Sequence, residues 1–153
     1  MNTQLQNKLY KAYPKIFAQK DLDRSQSAMS RGLCVGDGWH NLIRLLCKTM
    51  QSYIDHNRHM ISKQVEMRQV KEKFGGLRIY IDFVDIKDEE KLQFPEQEVV
   101  MMNEIRGMLS FSEVMSYTIC EECGKPGIVR KDLPWIRTLC QEHYEHEVEH
   151  KPY

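Results

Sequence analysis

"QVEMRQVKEKFGGLRIYIDF" runs from Gln64 to Phe83, and its periodicity decides the fold class. In "LRIYIDF" the side chains alternate, with Leu77, Ile79, Ile81 and Phe83 on one side and Arg78, Tyr80 and Asp82 on the other. That period of two is the pattern of a half-buried strand. Gly75-Gly76 supplies the positive-φ positions of a tight turn, and "QVEMRQVKEK" is the natural partner strand. The middle of the chain is therefore a β-hairpin.

Helical periodicity flanks it on both sides. Upstream, Trp39, Leu42, Ile43, Leu46, Met50, Tyr53 and Ile54 recur on one helical face, with Asp37 as the expected N-cap and an end near Asn57. Downstream, a charged connector, "DIKDEEKLQFPEQ", leads into a second long helix from Glu96 to Tyr117. Its stripe is Met101, Ile105, Met108, Ser112 and Met115. Residues 3–17 read as a short helix disturbed at Pro14, and residues 18–38, rich in Ser, Gly and Asp, read as a long loop. The expectation is an α+β core over residues 1–117, two long helices packed on a β-hairpin, followed by a separate module over 118–153.

That module carries the chemistry. "CEECGKPGIVRKDLPWIRTLCQEH", Cys120 to His143, opens with C-x2-C-G and closes with C-x2-H. A C-x2-C turn followed by glycine lets two thiolates converge on one ion, and tetrahedral zinc needs four N or S donors. Cys120, Cys123, Cys140 and His143 are the predicted ligands. The intervening segment is the right size for a hairpin with a Pro-containing turn, and a helix begins at the second pair. Knuckle, hairpin and helix together describe a treble-clef-like zinc finger.

Composition limits the remaining options. Twenty-two basic residues balance twenty-two acidic ones, so any nucleic-acid contact needs a local patch. No run of the sequence is apolar enough to span a bilayer, and residues 1–20 contain no apolar signal segment, so the expected location is the cytoplasm with no membrane partner. Five cysteines, three of them at metal-ligand spacing, argue against a disulfide framework.

Two constellations resemble catalytic sites without their context. His146-Glu147-Val148-Glu149-His150 matches H-E-x-x-H, but "EHEVEHK" offers almost no apolar face to bury such a site. Cys34, Asp37 and His40 include the residue types of a nucleophile set, yet proximity in sequence gives no geometry. A closed Cys3His site leaves no coordination position for chemistry, so no enzymatic activity is expected. The hairpin offers a surface instead. Arg68, Lys71, Lys73, Arg78 and Tyr80 interleave cations with aromatics around the Gly-Gly turn, a composition that suits a partner protein or a nucleic acid, and an exposed strand edge can accept a partner strand.

The finger resembles that of the DnaK-suppressor/TraR group of RNA polymerase regulators over about the last thirty residues. It departs from that pattern in placing His143 where the fourth cysteine lies, and in having a hairpin between its helices. Over most of the chain, "GDGWHNLIRLLC", "QVKEKFGGLRIY" and "CEECGKPG…TLCQEH", in that order, resemble a largely uncharacterised group of small proteins from bacteria and their phages. The resemblance implies a phage or mobile-element setting. The expected function is a non-enzymatic, zinc-stabilised interaction protein, an anti-CRISPR-like inhibitor of a host defence or other nucleoprotein machine. The alternatives are a transcription regulator contacting RNA polymerase or DNA, and a zinc-dependent hydrolase using the HEVEH segment.

Overall fold

The computed structural model describes residues 1–86 and 95–150. It is a mixed α+β chain with two small antiparallel two-stranded sheets and a C-terminal Cys/His cluster. The predicted connector falls largely on 87–94 and lies outside the described residues.

Helix α1, Thr3–Ala12, starts at Asn2, whose side chain accepts from the Leu5 N–H at 3.0 Å. It stops well short of residue 17. Pro14 disfavours the helical conformation at Tyr13, which sits at φ −132°, ψ 59°. The chain then turns inward, burying Ile16 and Phe17 completely.

Residues 18–38 are not the irregular loop that their composition suggests. They form three short 3-10 turns, at Ala18–Asp21, Ala28–Arg31 and Asp37–Trp39. Met29, Leu33 and Val35 bury between them. Three apolar anchors outweigh the Ser- and Gly-rich background in fixing this segment.

Helix α2, His40–His56, buries Ile43, Leu46, Cys47, Met50 and Ile54 on the expected face. Asp37 is not its cap. Both carboxylate oxygens of Asp37 accept instead from Asn2, one from its backbone N–H and one from its side-chain amide.

Strand β1, Lys63–Lys73, pairs antiparallel with β2, Gly76–Asp85. The turn residues are Phe74 and Gly75, both at positive φ, 55° and 79°. The left-handed positions are thus one residue earlier than the Gly-Gly pair suggests. Gly76 belongs to the strand, and its missing side chain serves packing: a Cβ there would lie 2.5 Å from the Tyr117 ring. A bulge at Arg68 resets the alternation of β1. Val65 and Met67 on one side of it and Val70 on the other, all buried, therefore share the core with Ile79, Ile81 and Phe83.

The outer edge of β1 is not free for a partner strand. Cys34 donates to Val70 O and accepts from Glu72 N, each at 3.0 Å, and Met67 N donates to Ile16 O at 2.7 Å. The N-terminal segment occupies that edge.

Helix α3, Pro95–Ser116, begins with proline, which needs no intrahelical partner at that position, and carries Glu96 and Glu98 in its first turn. Glu98 accepts from the Ser62 N–H at 2.8 Å, tying the helix start to the hairpin. Met101, Ile105, Ser112 and Ser116 bury. At the other end Ser116 Oγ accepts from Leu77 N at 2.8 Å. The core enclosed by α1, α2, α3 and the first hairpin is continuous. A second, small cluster of Cys120, Leu133, Leu139 and Cys140 lies beyond it. Among the described residues no helix is long and apolar enough to cross a membrane.

Candidate metal centre

The second cluster is built by three short elements. Cys120 and Cys123 lie on a tight turn closed by Gly124 N donating to Cys120 O at 2.9 Å and Cys120 N donating to Lys125 O at 2.8 Å. Gly124 takes φ 76°, a conformation that costs glycine little. Strands β3, Ile128–Arg130, and β4, Arg137–Leu139, pair antiparallel, and β4 delivers Cys140 as the N-cap of α4, Gln141–Glu149. One helical turn on, His143 faces back over Cys140.

These elements bring all four predicted ligands together. The donor atoms of Cys120, Cys123, Cys140 and His143 lie within 4.8 Å of one another, an arrangement that could hold a metal ion. Cys123 Sγ is 3.8 Å from Cys140 Sγ. His143 Nδ1 is 3.6 Å from Cys120 Sγ and 3.1 Å from Cys140 Sγ. Cys120 is fully buried, and burial works against its ionisation. The backbone N–H groups of Cys140, Cys123 and Glu122 outweigh that cost and hold the thiol down at about 7. A thiol so lowered is ready to bind a cation as thiolate.

The turn is clasped from outside by the segment that precedes α2. Gly38 N donates to Glu121 O at 2.7 Å, and Gly36 N donates to the Glu121 carboxylate at 3.0 Å. The Trp39 indole N–H, wholly buried, donates to Ile119 O at 2.9 Å. Glycines at 36 and 38 are required by contact, because a Cβ at Gly38 would fall 2.2 Å from Cys120 O. Burial raises the Glu121 carboxyl above its ordinary value, against the pull of Gly36 N–H and of Arg137. Arg137 in turn ion-pairs with Glu121 at 3.6 Å and Glu147 at 2.7 Å, and also with Glu122. The hairpin meets the module on another side, where Thr138 Oγ1 donates to Gly75 O at 2.6 Å. Glu121, Arg137 and Thr138 give no sign of these roles in the sequence. The GDGW spacing did carry one, since paired glycines before a buried tryptophan mark a close backbone approach.

The hairpin residues separate into two groups. Arg68 sits at the bulge with Nη1 3.6 Å from Asp82, Lys71 Nζ lies 5.2 Å from the Tyr80 ring centroid, and Lys73 Nζ lies 5.3 Å from that of Phe74. Arg68, Lys73 and Tyr80 are exposed, and Lys71 is half-buried. Arg78 is not an exposed charge: Nη1 is 2.7 Å from Glu113 of α3 and Nη2 donates to the Tyr117 hydroxyl at 3.0 Å. It ties the hairpin to the helix.

Among the described residues no hydrogen bond or ion pair links Cys34, Asp37 and His40, and His146 and His150 join no third ligand. His146 and His150 stack ring on ring, centroids 4.2 Å apart, and stand outside the ligand cluster. Asp37 is occupied by Asn2, and His40 Nε2 is buried without a hydrogen-bond partner among the described residues. No protein-family model, curated protein or solved structure matches the chain.

Proposed function

We propose that the Cys3His cluster holds one structural zinc ion in a treble-clef-like finger, and that the chain is a non-enzymatic interaction protein. The observation that carries this reading is the closed donor set, clasped by Gly36, Gly38 and Trp39. For tetrahedral zinc with the usual bond lengths, sulfur donors lie about 3.8 Å apart and sulfur and nitrogen about 3.6 Å apart. The Cys123–Cys140 and Cys120–His143 separations, 3.8 and 3.6 Å, match these edges. The Cys140–His143 edge, at 3.1 Å, opens by about half an ångström as the ion seats. Three thiolates and an imidazole are a soft set, which favours zinc over magnesium or calcium.

With all four positions filled by side chains, the ion has no site for water or substrate, and its role is to fix the finger against the core. The rest of the reading, an anti-CRISPR-like inhibitor that binds a host protein or nucleoprotein complex, comes from the sequence strings GDGWHNLIRLLC, QVKEKFGGLRIY and CEECGKPG alone. The tagged zinc-loaded protein should retain such a complex from host lysate, and a Cys140→Ser variant lacking zinc should not. Hydrolytic activity rising in proportion to zinc content would contradict the proposal.

A further inference from the structure

Phe74 and Trp135 are large aromatics that the fold holds in solvent, 61% and 64% exposed. One comes from the tip of the β1–β2 hairpin, the other from the loop joining β3 to β4. A single carboxylate fixes both. Glu72 Oε1 accepts from the Gly75 N–H, next to Phe74, at 2.6 Å, and Oε2 accepts from the Trp135 indole N–H at 2.8 Å. Thr138 adds its bond to Gly75 O beneath them. Phe74 also adopts φ 55°, a left-handed conformation unfavourable for a bulky side chain, and neither ring is buried in return. Rings fixed in advance lose little freedom on binding, which is what a contact surface needs.

Lysines lie close in sequence to both rings. Among the described residues no carboxylate forms an ion pair with Lys71, Lys73 or Lys131, although ion pairs engage Arg78 and Arg137 close by. Lys73 lies beside Phe74 and Lys71 beside Tyr80, while Lys131 is exposed in the same loop as Trp135. Of the acids on these two segments, Glu72 is occupied by two N–H donors, and Asp132, next to Lys131, accepts from the Tyr144 hydroxyl.

From this we infer that the hairpin tip and the finger loop form one platform for single-stranded nucleic acid, with Trp135 and Phe74 stacking bases and Lys71, Lys73 and Lys131 meeting phosphates. The inference rests on the interaction-protein reading and names a partner for it. Single strands fit better than duplex, because aromatic faces stack on bases only where the bases are not already stacked on each other. Lysines spaced around aromatics are the composition of such surfaces.

Tryptophan fluorescence reads the platform directly. The chain has two tryptophans, and Trp39 is fully buried, so an added ligand reports through Trp135. Titrating the zinc-loaded protein with oligothymidylate about 15 nucleotides long, in about 50 mM salt, should quench the emission saturably. Trp135→Ala should weaken binding of a labelled oligonucleotide roughly 5- to 150-fold, the usual cost of losing one stacked base. Trp135→Phe should retain most of the affinity. Lys73→Ala and Lys131→Ala should each reduce the log–log salt slope by about 0.7. Absence of saturable quenching, or unchanged binding by Trp135→Ala, overturns the platform. So does quenching by a poly-glutamate peptide in place of the oligonucleotide, which assigns the surface to a protein. If oligonucleotide fails while the protein keeps its zinc and its host complex, the platform is wrong and the interaction reading stands.

Discussion

Gly38 and Gly124 lie back to back: a Cβ built on Gly38 would sit 2.4 Å from Gly124 N, and one on Gly124 would sit 2.9 Å from Gly38 O. One glycine precedes α2 and the other closes the Cys120–Cys123 turn. The contact is backbone against backbone, so no flexible side chain can move to make room.

Gly38→Ala should therefore be poorly tolerated. Overpacking of this kind costs about 1–3 kcal/mol, and here the strain falls on the ligand turn itself. Denaturant unfolding should show the loss, and zinc release to a chelator should be faster than in the parent. Gly107→Ala is the control. Nothing lies within 4 Å of a Cβ at that helical position, so alanine should stabilise by up to about 1 kcal/mol.

Trp39→Phe separates packing from hydrogen bonding at the same junction. Phenylalanine keeps much of the buried ring but strands Ile119 O, which now accepts the indole N–H at 2.9 Å. An unsatisfied, partly buried carbonyl together with the small cavity should cost about 2–4 kcal/mol in urea unfolding. A change below half a kcal/mol would remove Trp39 from the clasp.

Arg78 and Lys73 should behave differently although both are hairpin cations. Arg78→Ala loses the Glu113 and Tyr117 contacts, yet the pair is partly solvated, which limits the loss to about 1 kcal/mol. A double-mutant cycle with Glu113→Ala should show coupling of about half a kcal/mol or more. Lys73→Ala should leave stability within about 0.5 kcal/mol of the parent.

Much of this architecture was legible in the chain, and the physical reason differs by element. The face of α2 and the alternation of β2 were readable because burial on one side imposes a period. The convergence of Cys120, Cys123, Cys140 and His143 was readable because metal chemistry restricts both residue type and spacing. What could not be read depended on contacts distant in sequence. Asp37 looks like a cap but is claimed by Asn2. Arg78 looks like a surface charge but is held by α3. Composition marked residues 18–38 as loop, because Met29, Leu33 and Val35 are too sparse to show a period, yet each finds a buried place. The three motifs GDGW, FGG and CEECG were visible as strings. Their contacts were not: GDGW clasps the CEECG turn through backbone N–H groups and glycine approaches, and FGG meets β4 through Gly75 O and the Thr138 hydroxyl.

Zinc content across ligand variants tests the central claim most directly. Elemental analysis of protein purified without chelator should give one zinc per chain in the parent and in His146→Ala and His150→Ala. Cys123→Ser and Cys140→Ser should lose the metal and, with it, the ordered finger, because structural zinc supplies roughly 10–16 kcal/mol of apparent binding free energy in small fingers. A metal-free parent, or a parent that loses its zinc when His146 or His150 is replaced, would contradict the account.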